Sequence, residues 1–301
     1  MGLERLQGID PGRLAVFAGA LAGQPAAVQR EVVAEMEQLG YGSLWYGEAM
    51  GREAFSQGAI FLAATSRLVV ASGIANIWAR DAMAMVAGGR ALAEAWPGRF
   101  ILGIGVSHAP MVARRGHNYE RPYTAMREYL DAMEGVTWRG PEVDTPPIVL
   151  AALGPRMVGL ARERTAGTYP YFTTADHIRE QRRLLGPEPF LAADLPVVLA
   201  PDRAAARAIG DRHLRIYLQT ANYVNNLLRL GWQAADLELP GLDSLFDAIV
   251  AWGDLDAIEA RVRAMVEAGA DQVVLNVVTA DPKVPYFDEL RQLAPLARAL
   301  A

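Results

Sequence analysis

A closed (β/α)8 TIM barrel with insertions is the fold class this sequence predicts, and three observations predict it. Short apolar runs alternate with helical patterns eight times along the 301 residues. Most of those runs are continuously apolar, as parallel strands covered on both faces must be. No Pro-, Gly- or Ser-rich linker divides the chain, so residues 1–301 read as one domain. A doubly wound open sheet is the alternative, and it accounts for fewer strands.

The elements follow in order. Leu14 to Gly19 is the first strand, and Pro25 opens a helix carrying Val28, Val32, Met36 and Leu39 at helical spacing until Gly40 stops it. Strands at Ser43 to Glu48 and Leu68 to Asn76 alternate with helices from about Glu53 to Thr65 and about Asp81 to Trp96. The fourth strand, from Phe100, opens into Gly103, Gly105, Ser107 and His108. A polar excursion, Ala109 to Arg121, precedes a helix from about Tyr123 to Met133.

Ile148 to Leu153 is the fifth strand, which Gly154 and Pro155 turn into a helix ending near Gly167. The sixth strand, Thr168 to Thr173, leads into a helix from about Ala175 to Leu185. The seventh, Leu195 to Ala200, is followed by a long helical stretch in which Thr220 to Asp243 is an insertion. Asp256 and Glu259 have capping-box spacing ahead of a helix with Ile258, Val262 and Met265 on one face. Gly269 ends it, Gln272 to Val278 is the eighth strand, and Phe287, Leu290, Leu293 and Leu296 mark the closing helix.

Composition narrows the function. At 52% hydrophobic residues the chain can bury a sizeable core, and a net charge of −5 offers no basic excess for a nucleic-acid backbone. No cysteine is present, which removes disulfides and thiolate nucleophiles together. The four histidines, His108, His117, His177 and His213, lack metal-ligand spacing, so no metal is expected. No run approaches the ~20 apolar residues of a membrane span and no signal peptide opens the chain, so the expectation is a cytoplasmic protein without a membrane partner.

In a closed barrel the chemistry sits where the strands end. Gly103 and Gly105 give a G-x-G that lacks the third glycine of a dinucleotide fingerprint; it reads either as a plain turn or as close access for a flat ligand. Gly154, Pro155 and Arg156 open a helix, which reads as a plain start or as an anion site. His108 is a candidate proton carrier, with a surface loop histidine as the bland alternative. Glu48 is carried to the mouth by an apolar strand, to bind a ligand or cap the next helix. Trp78 and Tyr171 offer flat surface or packing, His177 is a weaker mouth candidate, and His117 and His213 are expected to do no chemistry.

The segments Leu39 to Trp45, Ser72-Gly73-Ile74, Pro97 to Gly105, Ala151 to Arg156 and Glu267 to Asp271, in this order, resemble the luciferase-like monooxygenase superfamily. Gly98 to His108, Gly154 to Met157 and Pro170 to Thr173 resemble most the branch that uses the deazaflavin coenzyme F420. The resemblance implies a bacterial luciferase-like barrel, often a homodimer, that binds the coenzyme at the strand ends. Hydride then moves between deazaflavin C5 and a small organic substrate of alcohol, aldehyde or enone type.

The resemblance places Glu48 against the deazaflavin, Ser72, Gly73 and Ile74 at a strand-three bulge with a non-proline cis peptide, and Asn76 beside it. Gly105, Val106, Ser107 and His108 would line the ring, while Gly154, Pro155, Arg156, Met157, Thr173 and Thr174 would hold the phosphate and acidic tail. Ala49 stands where that branch carries a catalytic histidine, which leaves His108 and Glu48 as the catalytic candidates. An FMN-dependent monooxygenase and a non-catalytic flavin- or deazaflavin-binding protein are the competing readings. Ile60, Phe61, Met83 and Met85 are candidate interface positions, and Met111, Tyr119, Tyr223 and Trp232 sit in excursions expected to roof the pocket.

Overall fold

The computed structural model describes residues 4–281 and 283–300. Its barrel wall begins with β1 (Leu14–Phe17), β2 (Ser43–Tyr46), β3 (Val69–Ser72) with its continuation β4 (Ala75–Asn76), and β5 (Phe100–Gly105). It continues through β6 (Ile148–Leu150), β7 (Gly167–Thr168) and β8 (Phe190–Leu199); β9 (Ala251–Gly253) lies alongside β8, and β10 (Gln272–Val277) completes the wall. All pairs are parallel, and β10 joins both β8 and β1, so the sheet closes on itself with eight positions around the ring. The (β/α)8 expectation holds.

Outside the wall run α1 (Ala26–Leu39), α2 (Ala54–Ala63), α3 (Ala82–Ala95), α4 (Ala109–Ala113), α5 (Pro122–Glu134) and α6 (Pro155–Arg164). They are followed by α7 (Ala175–Leu185), α8 (Arg203–Leu218), α9 (Ala221–Arg229), α10 (Asp243–Ile249), α11 (Leu255–Glu267) and α12 (Phe287–Ala299). Successive strand residues point to opposite faces, and the core divides accordingly. Leu14, Val16, Leu44, Val70, Leu102 and Leu150 pack outward against the helices. Ala15, Trp45, Val69, Ala71, Ile101, Val149 and Val274 fill the barrel interior. Among the described residues no helix is long and apolar enough to cross a membrane.

Four expectations are corrected. The sixth strand pairs only over Gly167–Thr168, because Pro170 has no N–H to donate and Phe172 adopts a left-handed φ of 56° that leaves the ladder. The seventh begins five residues early, at Phe190; Asp194 in mid-run disguises an otherwise apolar strand. The short β7 leaves an open edge on β8, and the unanticipated β9 fills it by pairing Ala251 to Gly253 with Val197 to Leu199. Finally, α11 is capped by Asp254, whose carboxylate accepts from Ala257 N–H at 3.0 Å, so Asp256 and Glu259 form no capping box.

Of the four interface candidates, Phe61 and Met85 belong to the core and Ile60 is half-buried against it. Only Met83 stands out in solvent, 67% exposed.

Two glycines set how closely the wall closes. A Cβ on Gly103 would sit 1.8 Å from the Ser72 carbonyl oxygen, and one on Gly167 would sit 1.9 Å from that of Phe190. Both neighbours are backbone and cannot rotate away. Gly103→Ala is therefore expected to cost about 3 kcal/mol or more. The check is urea denaturation, with a lower midpoint at an unchanged m-value; an unmoved midpoint would contradict the close approach.

Candidate active site

The strand ends open into one cavity of about 510 Å³. The β3 bulge forms part of its wall: the Gly73–Ile74 peptide is cis, Gly73 N–H donates to the Tyr46 carbonyl at 2.6 Å, and the Ile74 carbonyl accepts from Glu48 N–H at 3.2 Å. A Cβ on Gly73 would lie 2.8 Å from the Tyr169 ring and 3.1 Å from that of Trp45, so this stretch has room only for bare backbone. Gly47, Val106 and Ser107, the last at φ 59°, add further backbone-rich surface.

Glu48 lines the cavity but its carboxylate turns into the protein. Oε2 accepts from Asn76 N–H at 2.8 Å and Arg80 Nη1 at 2.9 Å; Oε1 accepts from Ala54 N–H at 3.2 Å and from Arg80 Nη2. Both side chains are sealed, 3% exposed for Glu48 and 8% for Arg80. The pair occupies the carboxylate fully, which makes Glu48 an anchor of the mouth.

His108 stands at the lip. Its Nδ1 lies 3.0 Å from Asn222 Oδ1, and a ring nitrogen facing a carbonyl oxygen must carry the hydrogen. Nε2 is then the lone-pair nitrogen. Burial lowers the pKa of His108 below the ordinary histidine value, which favours the neutral ring, while the Asn222 hydrogen bond opposes that.

Of the residues expected to bind a cofactor, Glu48, Gly73, Ile74, Val106, Ser107, His108, Gly154 and Met157 line the cavity. Ser72, Asn76, Gly105, Pro155, Arg156, Thr173 and Thr174 do not. Ser72 donates to the Gly103 carbonyl at 2.8 Å, Asn76 Oδ1 accepts from Trp78 N–H at 3.0 Å, and the Arg156 guanidinium stacks over Tyr123 at 4.3 Å. Thr173 is buried with no partner for its hydroxyl among the described residues, and Thr174 caps α7 by accepting from His177 N–H at 3.3 Å. These residues support the cavity from behind.

The sequence reading missed most of one wall. Asn222, Asn225, Asn226 and Arg229 of α9 line the cavity, together with Tyr217 of α8, Tyr169 and Phe17. A signal existed: Asn222, Asn225, Asn226 and Arg229 recur at helical spacing as a polar stripe inside an insertion. Met111, Tyr119 and Tyr223 line the cavity as expected, while Trp232 packs into the α8 to α10 cluster instead. Trp78 donates its indole N–H to the Val106 carbonyl at 2.9 Å, behind the lining.

Three further buried ionisable groups surround the site. His177 donates from Nε2 to the Leu153 carbonyl at 3.1 Å, and burial pushes its pKa down to about 4. His213 is pushed down to about 3 by the same cause, beside Tyr217. Asp194, inside the barrel, is pushed up to about 8 by burial although Phe172 N–H at 3.3 Å and Asn276 Nδ2 at 3.2 Å donate to it. Among the described residues no cluster of three or more His, Cys, Asp or Glu is arranged to hold a metal ion.

The profile of the luciferase-like monooxygenase family matches residues 13–272. A protein of Mycobacterium tuberculosis, provisionally named a coenzyme F420-dependent oxidoreductase, is 25% identical, with 94% of this chain and 98% of the relative covered. Two solved structures share the fold at 14% identity and a TM-score of 0.75, each covering 97% of this chain and 100% of the other. One is an F420-dependent secondary alcohol dehydrogenase with an F420-acetone adduct, the other the F420-dependent tetrahydromethanopterin reductase of Methanopyrus kandleri.

Two predictions test the supports. Arg80→Met leaves Glu48 buried without its cation and is expected to cost about 3–5 kcal/mol, part of which Glu48→Gln in the same chain restores. Chemical denaturation of the single and double variants measures both. For His177 the folded pKa of about 4 lies below the unfolded value, so its stabilising contribution is complete above pH ~6.5 and is lost as pH falls toward 4. Between pH 7 and 5 the wild type should lose about 2 kcal/mol more than His177→Gln. Parallel losses in the two proteins would contradict that assignment.

Proposed function

This chain belongs to the luciferase-like monooxygenase family, and from that premise we propose that it is a coenzyme F420-dependent oxidoreductase acting on a small alcohol, carbonyl compound or enone. The observation that carries the reading is the charge around the mouth. Arg121 and Arg156 directly precede the lining residues Pro122 and Met157 in the chain, Arg114 and Arg115 close the short helix that carries the lining residue Met111, and none of the four pairs with a carboxylate among the described residues. Arg115 donates to the carbonyl of Ala49, itself a lining residue, at 3.3 Å, and Arg114 reaches Met50. On a chain of net charge −5, four arginines without carboxylate partners on segments that carry lining residues favour a ligand with an extended acidic tail. FMN, the alternative, carries one phosphate and no such tail.

The residues inside fit a planar ring. Backbone at Gly47, Gly73, Ile74 and Ser107 offers a surface without bulky side chains, and the Tyr169 hydroxyl, buried in the lining, has no partner among the described residues. A buried hydroxyl left unpaired costs about 1–3 kcal/mol, which a ring heteroatom would offset. At one end, Gly154 caps α6 with open space where its Cβ would be, and Arg229 lines the cavity nearby while paired to Glu180 at 2.8 and 2.7 Å. These groups would hold a phosphate.

The bound deazaflavin supplies a carbon centre that gives or takes hydride, a two-electron chemistry. The chain supplies the proton site: His108 Nε2, held neutral and oriented through Nδ1–H to Asn222, takes the proton of an alcohol hydroxyl on oxidation and returns it on reduction. The aromatic walls exclude water from the reacting centre.

Oxidised F420 should change fluorescence on binding with micromolar affinity, weakening as salt rises and about tenfold in Arg114→Ser, Arg115→Ser. His108→Ala should keep that affinity while turnover falls about 10²- to 10⁴-fold. Tight FMN binding without an F420 response would overturn the coenzyme assignment, and F420 binding with no turnover of any alcohol, aldehyde or enone would overturn the catalytic one.

A further inference from the structure

We propose that the Tyr217 hydroxyl is the hydrogen-bond donor for the substrate oxygen, and that Asp194 sets its direction from inside the barrel through Asn276 and Tyr171. The inference rests on the carbonyl or alcohol substrate of the reading above. Asp194 on β8 and Asn276 on β10 both point into the barrel, on strands that pair along their length. Asn276 Nδ2 donates one hydrogen to Asp194 Oδ1 at 3.2 Å and the other to Tyr171 Oη at 2.7 Å. Tyr171 Oη stands 2.8 Å from Tyr217 Oη.

The order of these contacts favours one direction of donation. Asp194 Oδ1 accepts whether or not Oδ2 carries a proton, so the amide of Asn276 presents its NH2 there. Tyr171 Oη already receives a hydrogen from Asn276, and in the proposal its own proton goes to Tyr217, the neighbouring hydroxyl that can accept it within the protein. Tyr217 Oη accepts that proton and has its own left to give. Its ring lines the cavity, so the hydrogen is free for a ligand.

The tyrosine is also held still. Its ring packs 5.1 Å from Tyr171, 5.0 Å from Phe172, 4.7 Å from His213 and 5.2 Å from Tyr223. A donor fixed before binding loses little freedom when a ligand arrives. His108 Nε2, on the same cavity, is an acceptor. In the proposal an alcohol hydroxyl accepts from Tyr217 and donates to neutral His108, and a carbonyl accepts from Tyr217 while the proton carried by His108 serves its reduction.

Asp194 has a structural contact as well, since its Oδ2 accepts from Phe172 N–H where the chain turns at a left-handed φ of 56°. The test must separate the two roles. Carbon-13-labelled cyclohexanone bound to the coenzyme-free protein reports hydrogen bonding through its C=O stretch in the infrared. Wild type should show a lower stretch than Tyr217→Phe and bind the ketone up to about tenfold more tightly. Asp194→Asn should fall between them, and adding it to Tyr217→Phe should change neither stretch nor affinity further, because the two act on one bond. Asn276→Ser tests the same link should Asp194→Asn fail to fold.

A stretch that is the same in wild type and Tyr217→Phe, absence of ketone binding, or losses that simply add would overturn the proposal. An F420 titration run beside it separates the two readings. A wild type that ignores F420 but keeps the stretch difference ends the coenzyme assignment alone. One that binds F420 with no stretch difference ends this one alone.

Discussion

The geometry of the mouth hangs on one buried carboxylate. Glu48 leaves the end of β2 and meets the first turn of α2 through Ala54 N–H, β4 through Asn76 N–H, and the approach to α3 through Arg80. Three separate segments thus share one anion. Burying that charge alone would be prohibitive, and the forked guanidinium of Arg80 together with two backbone N–H donors offsets the lost hydration. Arg80 is itself held against the face of Phe55 at 5.1 Å and reaches Glu53 at 2.9 Å. The bulge between β3 and β4 sits within this frame, so its bare backbone keeps its place beside the cavity.

A second consequence concerns roles. A carboxylate with all its partners supplied by protein has no coordination left for a ligand, so Glu48 and His108 are not an equivalent acid and base. His108 has one nitrogen engaged and one open. What distinguishes them is how many contacts each already makes, which residue type does not record.

How far the sequence could be read follows the same logic. Strand and helix periodicity reports burial on one face, and burial here is dictated by barrel closure; that is why α7 matches its expected limits and β5 ends among the expected glycines. Elements whose limits depend on other elements were not legible. The two-residue β7 is cut short by Pro170 and Phe172, and β9 exists because that shortness leaves an edge on β8. At the site, Val106, Ser107 and His108 could be found because they extend a strand that ends at the mouth. Thr173 and Asn76 lie equally near strand ends yet point behind the lining, since period-two alternation fixes side and a bulge or turn resets it. The α9 wall belongs to an insertion, where topology offers no rule; only its polar stripe marks it.

The interior of a barrel is normally filled by layers of branched apolar side chains. Here the base of the interior is polar but closed: Gln272 accepts from Trp45 Nε1 at 2.7 Å and donates to the carbonyls of Pro11 and Gly12 at 2.8 Å. That network ends on backbone, which cannot change its partners. Toward the mouth, Asp194 and Asn276 connect instead to the hydroxyls of Tyr171 and Tyr217, both of which line the cavity. The two networks differ in where they stop. A chain of hydrogen bonds that terminates on backbone fixes structure alone, whereas one that terminates on a hydroxyl at a cavity also decides whether that hydroxyl gives or takes a hydrogen.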